Sequence, residues 1–289
     1  MRRGGSEPTV RQRQRPVGQS RPDERCRSPQ FYAAVPSLVE TTLGRPNDDQ
    51  AQPEGIAVGK PIIIFSADAP TEIHGGEGGS GPLFWKRLVG GVDLQGDWES
   101  FEYARLPVGG VVGEHVHRRT EELYYVIAGQ ARMYLDGAAH DVGKGDLILT
   151  PIGGKHRATA VGHEDFEFIV AEVLPPESSD VQLRPGPGPR RPCVVLKLSD
   201  LTEIDPTQYF VGSWGSIQLK RTSANEHAEF AGAASEHALY VIAGSGTAQS
   251  GKRSIELRSG RGLAVPKGGH VTVRAGSAGL ELFIVAVRL

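Results

Sequence analysis

The sequence has little that would indicate secretion, a membrane or a nucleic-acid partner. It contains only two cysteines, Cys26 in a polar segment and Cys193 beside a proline. Two such cysteines do not form a disulfide framework, and this favours a reducing compartment. Apolar runs such as "IIIF" at 62–65 are far shorter than the ~20 residues that a membrane-spanning helix needs. The formal net charge of -2 gives no overall attraction to nucleic acid. We therefore expect a cytoplasmic protein that binds neither membrane nor nucleic acid.

Helical spacing of apolar residues is also scarce, whereas turn-forming residues are abundant. The 289 residues include 38 glycines and 20 prolines, which separate short apolar runs such as "FEYARL", "ARMYLDG" and "DLILTP". Asp136 and Gly137 form a dipeptide typical of a tight β-hairpin. Short strands bounded by such turns predict an all-β chain built as a meander or jelly-roll barrel.

Two segments of biased composition suggest where the folded units begin and end. The first 30 residues contain eight arginines against three acidic residues, and a segment of this kind cannot bury enough apolar surface to fold, so we predict a disordered basic tail over 1–55. A nucleic-acid-binding arm is the alternative, but aromatic residues are not interleaved with the arginines. The run "LRPGPGPRRPC" at 183–193 predicts a linker. The folded units are then expected at 56–182 and 194–289.

These two units repeat one another. The run "YYVIAG" at 124–129 matches "LYVIAG" at 239–244 with an offset of 115, and the same offset aligns "EFIVAEVL" with "LFIVAVRL" at the C-terminus. One further residue of offset aligns "GDWES" with "GSWGS". An internal duplication of this length predicts two barrels of the same kind.

The stretch "GEHVHRRTEELYYVIAG" at 113–129 contains the candidate functional residues. His115 and His117 are two positions apart on a predicted strand, so their side chains share one face about 6.6 Å apart and can hold one ion. Glu122 begins the next strand after a polar loop, and His156 follows a turn rich in glycine and proline that can direct its imidazole back inward. Imidazole and carboxylate groups in this arrangement predict a transition-metal site.

These residues resemble the two sequence motifs of the cupin superfamily. The first motif, G(X)5HXH(X)3-4E(X)6G, is matched by Gly109, His115, His117, Glu122 and Gly129. The second, G(X)5PXG(X)2H(X)3N, is matched by Gly145, Pro151, Gly153 and His156, with Ala160 in place of the final asparagine. The resemblance covers residues from about 60 to 289 and is to a bicupin. It implies two tandem cupin barrels (double-stranded β-helix, or jelly-roll, barrels) and a homodimer.

The ligand set limits the metal and the substrate. Three neutral imidazoles and one carboxylate leave one positive charge on a divalent ion, which suits a small anionic or enolate-like substrate. An ion that prefers six ligands keeps two positions open for substrate, or for substrate and dioxygen. The resemblance favours Fe(II), while Mn, Ni, Co, Cu or Zn are also compatible with these ligands.

The second barrel is expected to lack a metal. At the offset of 115, the positions of the four ligands are occupied by Phe230, Gly232, His237 and Val271. An improvised site could in principle use His227, Glu229, His237 and His270. His270, however, lies one position early, and a shift of one residue turns a strand side chain to the other face.

Three further residues are candidate catalytic or substrate-contacting groups. Tyr103 and Arg105 lie on the strand before the two histidines, and Tyr124 follows Glu122 on the same face. An arginine there could hold a carboxylate or phosphate of the substrate, and Tyr124 could move protons. The alternative is that the aromatic side chains only fill the barrel.

Three classes of function follow from the resemblance. The first is an Fe(II) dioxygenase, similar to the gentisate-type ring-cleaving bicupins, although these typically use three histidines without the glutamate. The second is an isomerase, epimerase, lyase or decarboxylase in which the ion acts as a Lewis acid. The third is a protein that binds a metabolite without converting it.

Overall fold

The computed structural model describes residues 60–176 and 191–289. The tail predicted over 1–55 and most of the linker predicted over 183–193 lie outside these ranges. The strands of the first part are β1 Ile63–Ser66, β2 Thr71–His74, β3 Pro82–Gly90, β4 Trp98–Leu106, β5 Val111–Val116, β6 Glu121–Ala128, β7 Gln130–Leu135, β8 Ala138–Gly143, β9 Asp146–Thr150, β10 Lys155–Val161 and β11 Phe166–Val173. Those of the second part are β12 Val194–Lys197, β13 Glu203–Ile204, β14 Trp214–Thr222, β15 His227–Ala231, β16 Ser235–Ser250, β17 Arg253–Arg258, β18 Arg261–Val265 and β19 His270–Arg288. The helical segments are the short helix α1 Leu198–Leu201 and the 3₁₀ turns Gly76–Gly78 and Pro206–Gln208.

The N-terminal barrel consists of two antiparallel sheets. One sheet has the strand order β12-β9-β6-β11-β4-β3-β2, and the other has the order β5-β10-β7-β8. Between the sheets lies an apolar cluster that includes Val126, Met133 and Phe168. The prediction of an all-β chain with jelly-roll barrels is confirmed. In the described ranges no helix is long and apolar enough to cross a bilayer.

The C-terminal barrel is built around two long strands. β16 and β19 pair along most of their length, and β14, β15, β17 and β18 pair with one or the other. The interior is an apolar cluster that includes Val241, Leu263 and Ile284. This barrel therefore has its own core.

The two barrels pack through the outer faces of their sheets. On the N-terminal side the contact includes Phe101 and Tyr125, and on the C-terminal side it includes Phe283 and Val285. The rings of Tyr125 and Phe283 stack with centroids 4.4 Å apart and an interplanar angle of 6°. Alternation along β6 therefore divides its side chains between the barrel interior and the contact with the second barrel.

The barrels also exchange one strand each, which corrects the boundaries that composition predicted. β1 pairs with β18 of the C-terminal sheet, with Ile63 opposite Ala264, although it precedes the first barrel in the chain. β12 pairs with β9 of the N-terminal sheet, with Val194 opposite Leu149. Each exchanged strand covers an edge that would otherwise be exposed. The barrels are consequently not continuous segments 56–182 and 194–289.

Two glycines show that the duplication extends to backbone geometry. Gly129 and Gly244, 115 residues apart, both have positive φ, 70° and 83°. A Cβ atom at these positions would lie 2.1 Å from the Asp165 carbonyl oxygen and 2.2 Å from the Gly279 carbonyl oxygen, respectively. Only glycine fits both the conformation and the space, and it does so at the same point of each barrel.

Candidate metal centre

Three backbone segments bring the predicted ligands together at one end of the N-terminal barrel. His115 lies on β5 opposite His156 of β10 in the strand register. Backbone hydrogen bonds tie His117 to the turn before β10, because its N–H donates to Gly154 (2.9 Å) and its carbonyl accepts from Gly153 (2.7 Å). The loop after His117 then leads into β6, where Glu122 faces the same interior.

The side-chain atoms of these four residues converge on one point. The Nε2 atom of His156 lies 2.9 Å from that of His115 and 3.1 Å from that of His117. The Oε2 atom of Glu122 lies 3.2 Å from the Nε2 atoms of His117 and His156. All four atoms lie within 4.8 Å of one another, so the predicted convergence of His115, His117, Glu122 and His156 is confirmed.

These separations fit a six-coordinate ion. Metal–ligand bonds of about 2.1 Å place neighbouring ligands of an octahedron about 3.0 Å apart, whereas a tetrahedron separates them by about 3.4 Å. Two of the four separations, 2.9 and 3.1 Å, lie closer to the octahedral edge, and the two of 3.2 Å lie midway between the two geometries. Four protein ligands of such an ion leave two positions open.

The burial and hydrogen bonding of the ligands also fit a cation. His117, Glu122 and His156 are buried, and the Oε2 atom of Glu122 has no hydrogen-bond partner among the residues the structure describes. The Nδ1 atom of His115 lies 3.0 Å from the carbonyl oxygen of Gly113. In the tautomer whose Nε2 atom carries the lone pair, Nδ1–H donates a hydrogen bond to this oxygen. An orphaned buried carboxylate oxygen beside imidazole lone pairs is suited to a divalent metal.

Burial determines the protonation of the metal-free site. It raises the pKa of Glu122 to about 8, and the neighbouring His115 only partly offsets this effect. It lowers the pKa of His117, and it lowers that of His156 well below its usual value, with further lowering by His117 and His115. The two buried imidazoles are therefore neutral at pH 7, while the carboxyl group holds a proton until a cation replaces it.

Two carboxyl groups that sequence reasoning missed lie beside the ligands. Glu172 on β11 is directly opposite Glu122, and Glu102 on β4 lies one position deeper in the same barrel interior. Burial is the main cause that raises the pKa of each, followed for Glu172 by the charge of Glu122. Their sequence signal was a glutamate within an apolar strand, Glu102 in "FEYARL" and Glu172 in "FEFIVAEVL", which also contains Glu167.

The structure places Tyr103 and Arg105 on the other face of β4, which corrects the expectation that they line the mouth. Tyr103 packs in the contact between the barrels and donates its hydroxyl hydrogen to Glu167 (2.8 Å). Arg105 forms an ion pair with Asp165 (2.6 Å) and lies over the ring of Phe84 (4.0 Å). From Ser100 to Leu106 the inward positions of β4 are the even-numbered ones, so Tyr103 and Arg105 point away from the ligands.

Tyr124 does lie inside the barrel. Its ring centroid is 5.1 Å from that of His156 and 4.4 Å from that of Phe168. Burial raises the pKa of Tyr124 well above its usual value, so its hydroxyl group keeps its proton. The predicted part of Tyr124 in proton transfer stays a prediction.

The C-terminal barrel does not bring metal ligands together at the equivalent positions. Val271, the counterpart of His156, is fully buried in the apolar core. His237 lies 3.3 Å from the carbonyl oxygen of Ala231, and His270 is an exposed partner of Glu229 at 3.8 Å. Within residues 60–176 and 191–289, the only group of convergent metal ligands is the one in the first barrel.

Comparisons with known proteins agree with a metal site in the N-terminal barrel. The family model described as "Cupin domain" matches residues 102–172, which include Glu122 and His156. An oxalate-binding protein of Thermotoga maritima is 26% identical over 113 residues, which cover 39% of this chain and 93% of that protein.

Solved structures share the fold over both barrels. A mutant of the salicylate 1,2-dioxygenase of Pseudoaminobacter salicylatoxidans superposes with a TM-score of 0.55 at 15% identity, covering 71% of this chain and 76% of that one. The oxalate decarboxylase of Bacillus subtilis, characterised through its Mn(II) centres, gives a TM-score of 0.55 at 17% identity, covering 84% of this chain and 79% of that one. At these identities the likeness establishes the fold alone.

Proposed function

Because this chain is a bicupin with a three-histidine, one-glutamate group in its N-terminal barrel, we propose that it is a metal-dependent enzyme, specifically an Fe(II) dioxygenase acting on a small metabolite. The metabolite would bind the ion through an anionic group. The observation that carries the proposal is the convergence of three Nε2 atoms and one Oε2 atom at separations of 2.9–3.2 Å.

The residues around this point have separable parts in such an enzyme. His115, His117, Glu122 and His156 would hold the ion, which supplies Lewis-acid chemistry and, as iron, reactivity with dioxygen. His115 is the only one of the four that is partly exposed, so substrate would enter past it. Tyr124 keeps its proton near neutral pH and would donate it instead of acting as a base.

A second candidate is a decarboxylase or another lyase that uses manganese. It is supported by the glutamate in the ligand set, which the gentisate-type dioxygenases typically lack. The similarity to an oxalate-binding protein and to a decarboxylase with Mn(II) centres points the same way. The same four ligands serve both reaction classes, since manganese and iron accept imidazole and carboxylate alike.

Metal analysis followed by oxygen measurements separates the candidates. Protein purified without added metal would be analysed for bound elements and then supplied with small carboxylates and phenols, with and without air. Bound iron and oxygen uptake in proportion to substrate loss would support the dioxygenase. Turnover without oxygen would replace it with the lyase, and no turnover with iron or manganese would leave a binding protein. The predicted homodimer would be checked by sedimentation of the same sample.

A further inference from the structure

A cavity of about 420 Å³ opens at one end of the C-terminal barrel. Its lining includes two arginines, two serines and apolar side chains, among them Arg253, Arg261, Ser66, Ser254, Ile64 and Ile255. None of the lining residues is acidic, and none belongs to the four-ligand group of the first barrel. The cavity therefore combines positive charge and hydroxyl groups with an apolar surface.

The strand register places both arginines on the inner face of this barrel. Arg261 of β18 lies two positions from Leu263, a residue of the barrel core. Arg253 of β17 lies two positions from Ile255, which packs in the same core. Because side chains alternate along a strand, each arginine shares the inward face of its apolar neighbour. Ser66 of the exchanged strand β1 is directly opposite Arg261, so three strands contribute polar groups to one rim.

The equivalent end of the N-terminal barrel has a cavity of about 560 Å³ in which a salt bridge occupies the corresponding charges. At the offset of 115, Arg261 corresponds to Asp146. Lys197 of the exchanged strand β12 is opposite Asp146 and pairs with it at 2.9 Å. In the second barrel the same two positions are those of Ser66 and Arg261. The second barrel thus has an arginine where the first has the acid of a salt bridge.

This end of each barrel is the one away from the metal-ligand positions. Asp146 is the first residue of β9, whereas Thr150, its last, is opposite Glu122. Arg261 begins β18 in the same way. The cavity is therefore separate from the metal centre, both in its barrel and in the end of the barrel at which it opens.

Two acidic residues near the cavity do not neutralise its arginines. Asp68 lies near Arg261 but forms its ion pair with Arg258, at 2.8 Å. Glu256 points to the outer face of β17, and its backbone carbonyl oxygen lies 3.4 Å from a guanidinium nitrogen of Arg261. In the part of the chain that the structure describes, neither Arg253 nor Arg261 forms an ion pair. Two guanidinium charges therefore remain at the cavity.

The donors at this cavity match one kind of anion. A carboxylate has two oxygens in one plane and a single charge, which one guanidinium fork satisfies. A phosphate monoester has three free oxygens and a charge of about -1.5 to -2 at neutral pH, which suits two guanidinium groups and neighbouring hydroxyls. Ile64 is 42% exposed and lines the same cavity, so apolar surface is available to the remainder of a ligand.

We propose that this cavity binds a small phosphate ester, with its phosphate group held by Arg253 and Arg261 and its apolar part against Ile64. The hydroxyl groups of Ser66 and Ser254 supply further hydrogen bonds to the phosphate. Such a ligand would hold the exchanged strand β1 to β17 and β18 of the second barrel. The site requires no metal and is independent of the reaction at the first barrel.

Titration calorimetry of the full-length protein with phenyl phosphate tests the proposal. Inorganic phosphate lacks the apolar part, and benzoate has a carboxylate on the same ring. We expect phenyl phosphate to bind about threefold more tightly than inorganic phosphate and at least about tenfold more tightly than benzoate. Arg253→Gln and Arg261→Gln should each weaken phenyl phosphate about tenfold, because each removes a charge-assisted contact.

Two control variants exclude other binding places for the phosphate. Arg132→Gln removes a positive charge from the equivalent cavity of the first barrel, where it pairs with Asp141 (2.8 Å), and should leave the affinity within about twofold. His117→Ala should do the same, since the proposed site does not use the metal centre. If either control loses as much affinity as Arg253→Gln, the phosphate binds elsewhere and the proposal is wrong.

The remaining outcomes also decide the question. Unchanged affinity in Arg253→Gln and Arg261→Gln overturns the site, and benzoate binding as tightly as phenyl phosphate overturns the preference for phosphate. Arg253 is exposed at the first position of β17, so its substitution tests the site even if Arg261→Gln fails to fold. Turnover measurements at the metal centre are not part of these readouts, and failure of the proposed function would leave the result unaffected.

Discussion

Glu121 and Glu236 occupy equivalent positions of the two barrels, and each accepts hydrogen bonds from a backbone loop of the other barrel. Glu121 accepts from the N–H groups of Val211 (2.8 Å) and Gly212 (2.9 Å), which precede β14. Glu236 accepts from the N–H group of Gly96 (2.8 Å), which precedes β4. Both glutamates are almost completely buried, at 1% and 0% exposed. The duplication therefore produced a reciprocal pair of links between the barrels.

Removing either glutamate should destabilise the protein. Glu121→Ala or Glu236→Ala leaves buried or partly buried N–H groups without an acceptor, and each such group costs up to about 1–3 kcal/mol. We expect each variant to lower the free energy of unfolding by about 3 kcal/mol, measured by urea denaturation. The exposed Glu229→Ala serves as a control within about 0.5 kcal/mol of the parent. Equal stability of all three variants would show that these links contribute nothing.

Two equivalent tryptophans should respond differently to the same substitution. Trp214 donates its indole hydrogen to Glu121 (3.0 Å). Trp98, its counterpart at the offset of 116, is 1% exposed, and its indole nitrogen has no hydrogen-bond partner within the described residues. Trp214→Phe should therefore cost about 1 kcal/mol more than Trp98→Phe, because only the first loses a hydrogen bond to a carboxylate. A larger loss for Trp98→Phe, measured by thermal unfolding, would contradict this assignment.

The fold and the metal ligands could be predicted because their determinants are local. Short strands and turn residues specify an all-β chain, and His115, His117, Glu122 and His156 are chemically distinctive residues at fixed spacings. The exchange of β1 and β12 could not be predicted, since a short apolar run such as Ile63–Ser66 fits the edge of either sheet.

Whether the remaining site residues could be predicted depended on knowing which face of a strand points inward. Tyr103 and Arg105 were expected in the mouth, yet inward positions of β4 are those of Ala104 and Leu106, which pack in the barrel core. The alternation of side chains along a strand leaves open which of its two faces points inward, and only contacts with other strands decide this. Glu172 was missed for the same reason, because a glutamate in an apolar strand can equally point outward, as Glu167 of the same strand does.

Loss of a ligand in the first barrel should remove the metal. His117→Ala and His156→Ala each delete a buried Nε2 atom of the convergent group, and we expect each to lower bound metal at least about tenfold. His237→Ala is the matched control, since this residue occupies the position equivalent to Glu122 in the second barrel and bonds to a backbone carbonyl. Metal content would be measured by elemental analysis after dialysis. Unchanged content in both ligand variants would mean that the ion binds elsewhere.

Metal uptake should release a proton below about pH 8. In the metal-free protein Glu122 has a pKa raised to about 8, so it is protonated at pH 6.5 and must lose that proton to bind a cation. Burial lowers the pKa values of His117 and His156, which favours the neutral imidazoles that bind a cation without losing a proton. We expect release of about one proton per ion at pH 6.5 and little at pH 9, measured by calorimetry in buffers of different ionisation enthalpy.

The same carboxyl group determines how stability of the metal-free protein changes with pH. The folded-state pKa of Glu122, about 8, lies above the ordinary value of 4.5, so between these values the folded protein binds more protons than the unfolded chain. Stability from this group is therefore present below pH 4.5 and is lost as pH rises toward 8. Glu122→Gln, which cannot ionise, should reduce the loss on going from pH 5 to pH 9. Equal losses in parent and variant would assign the pH dependence to Glu102 or Glu172, whose pKa values are shifted in the same direction.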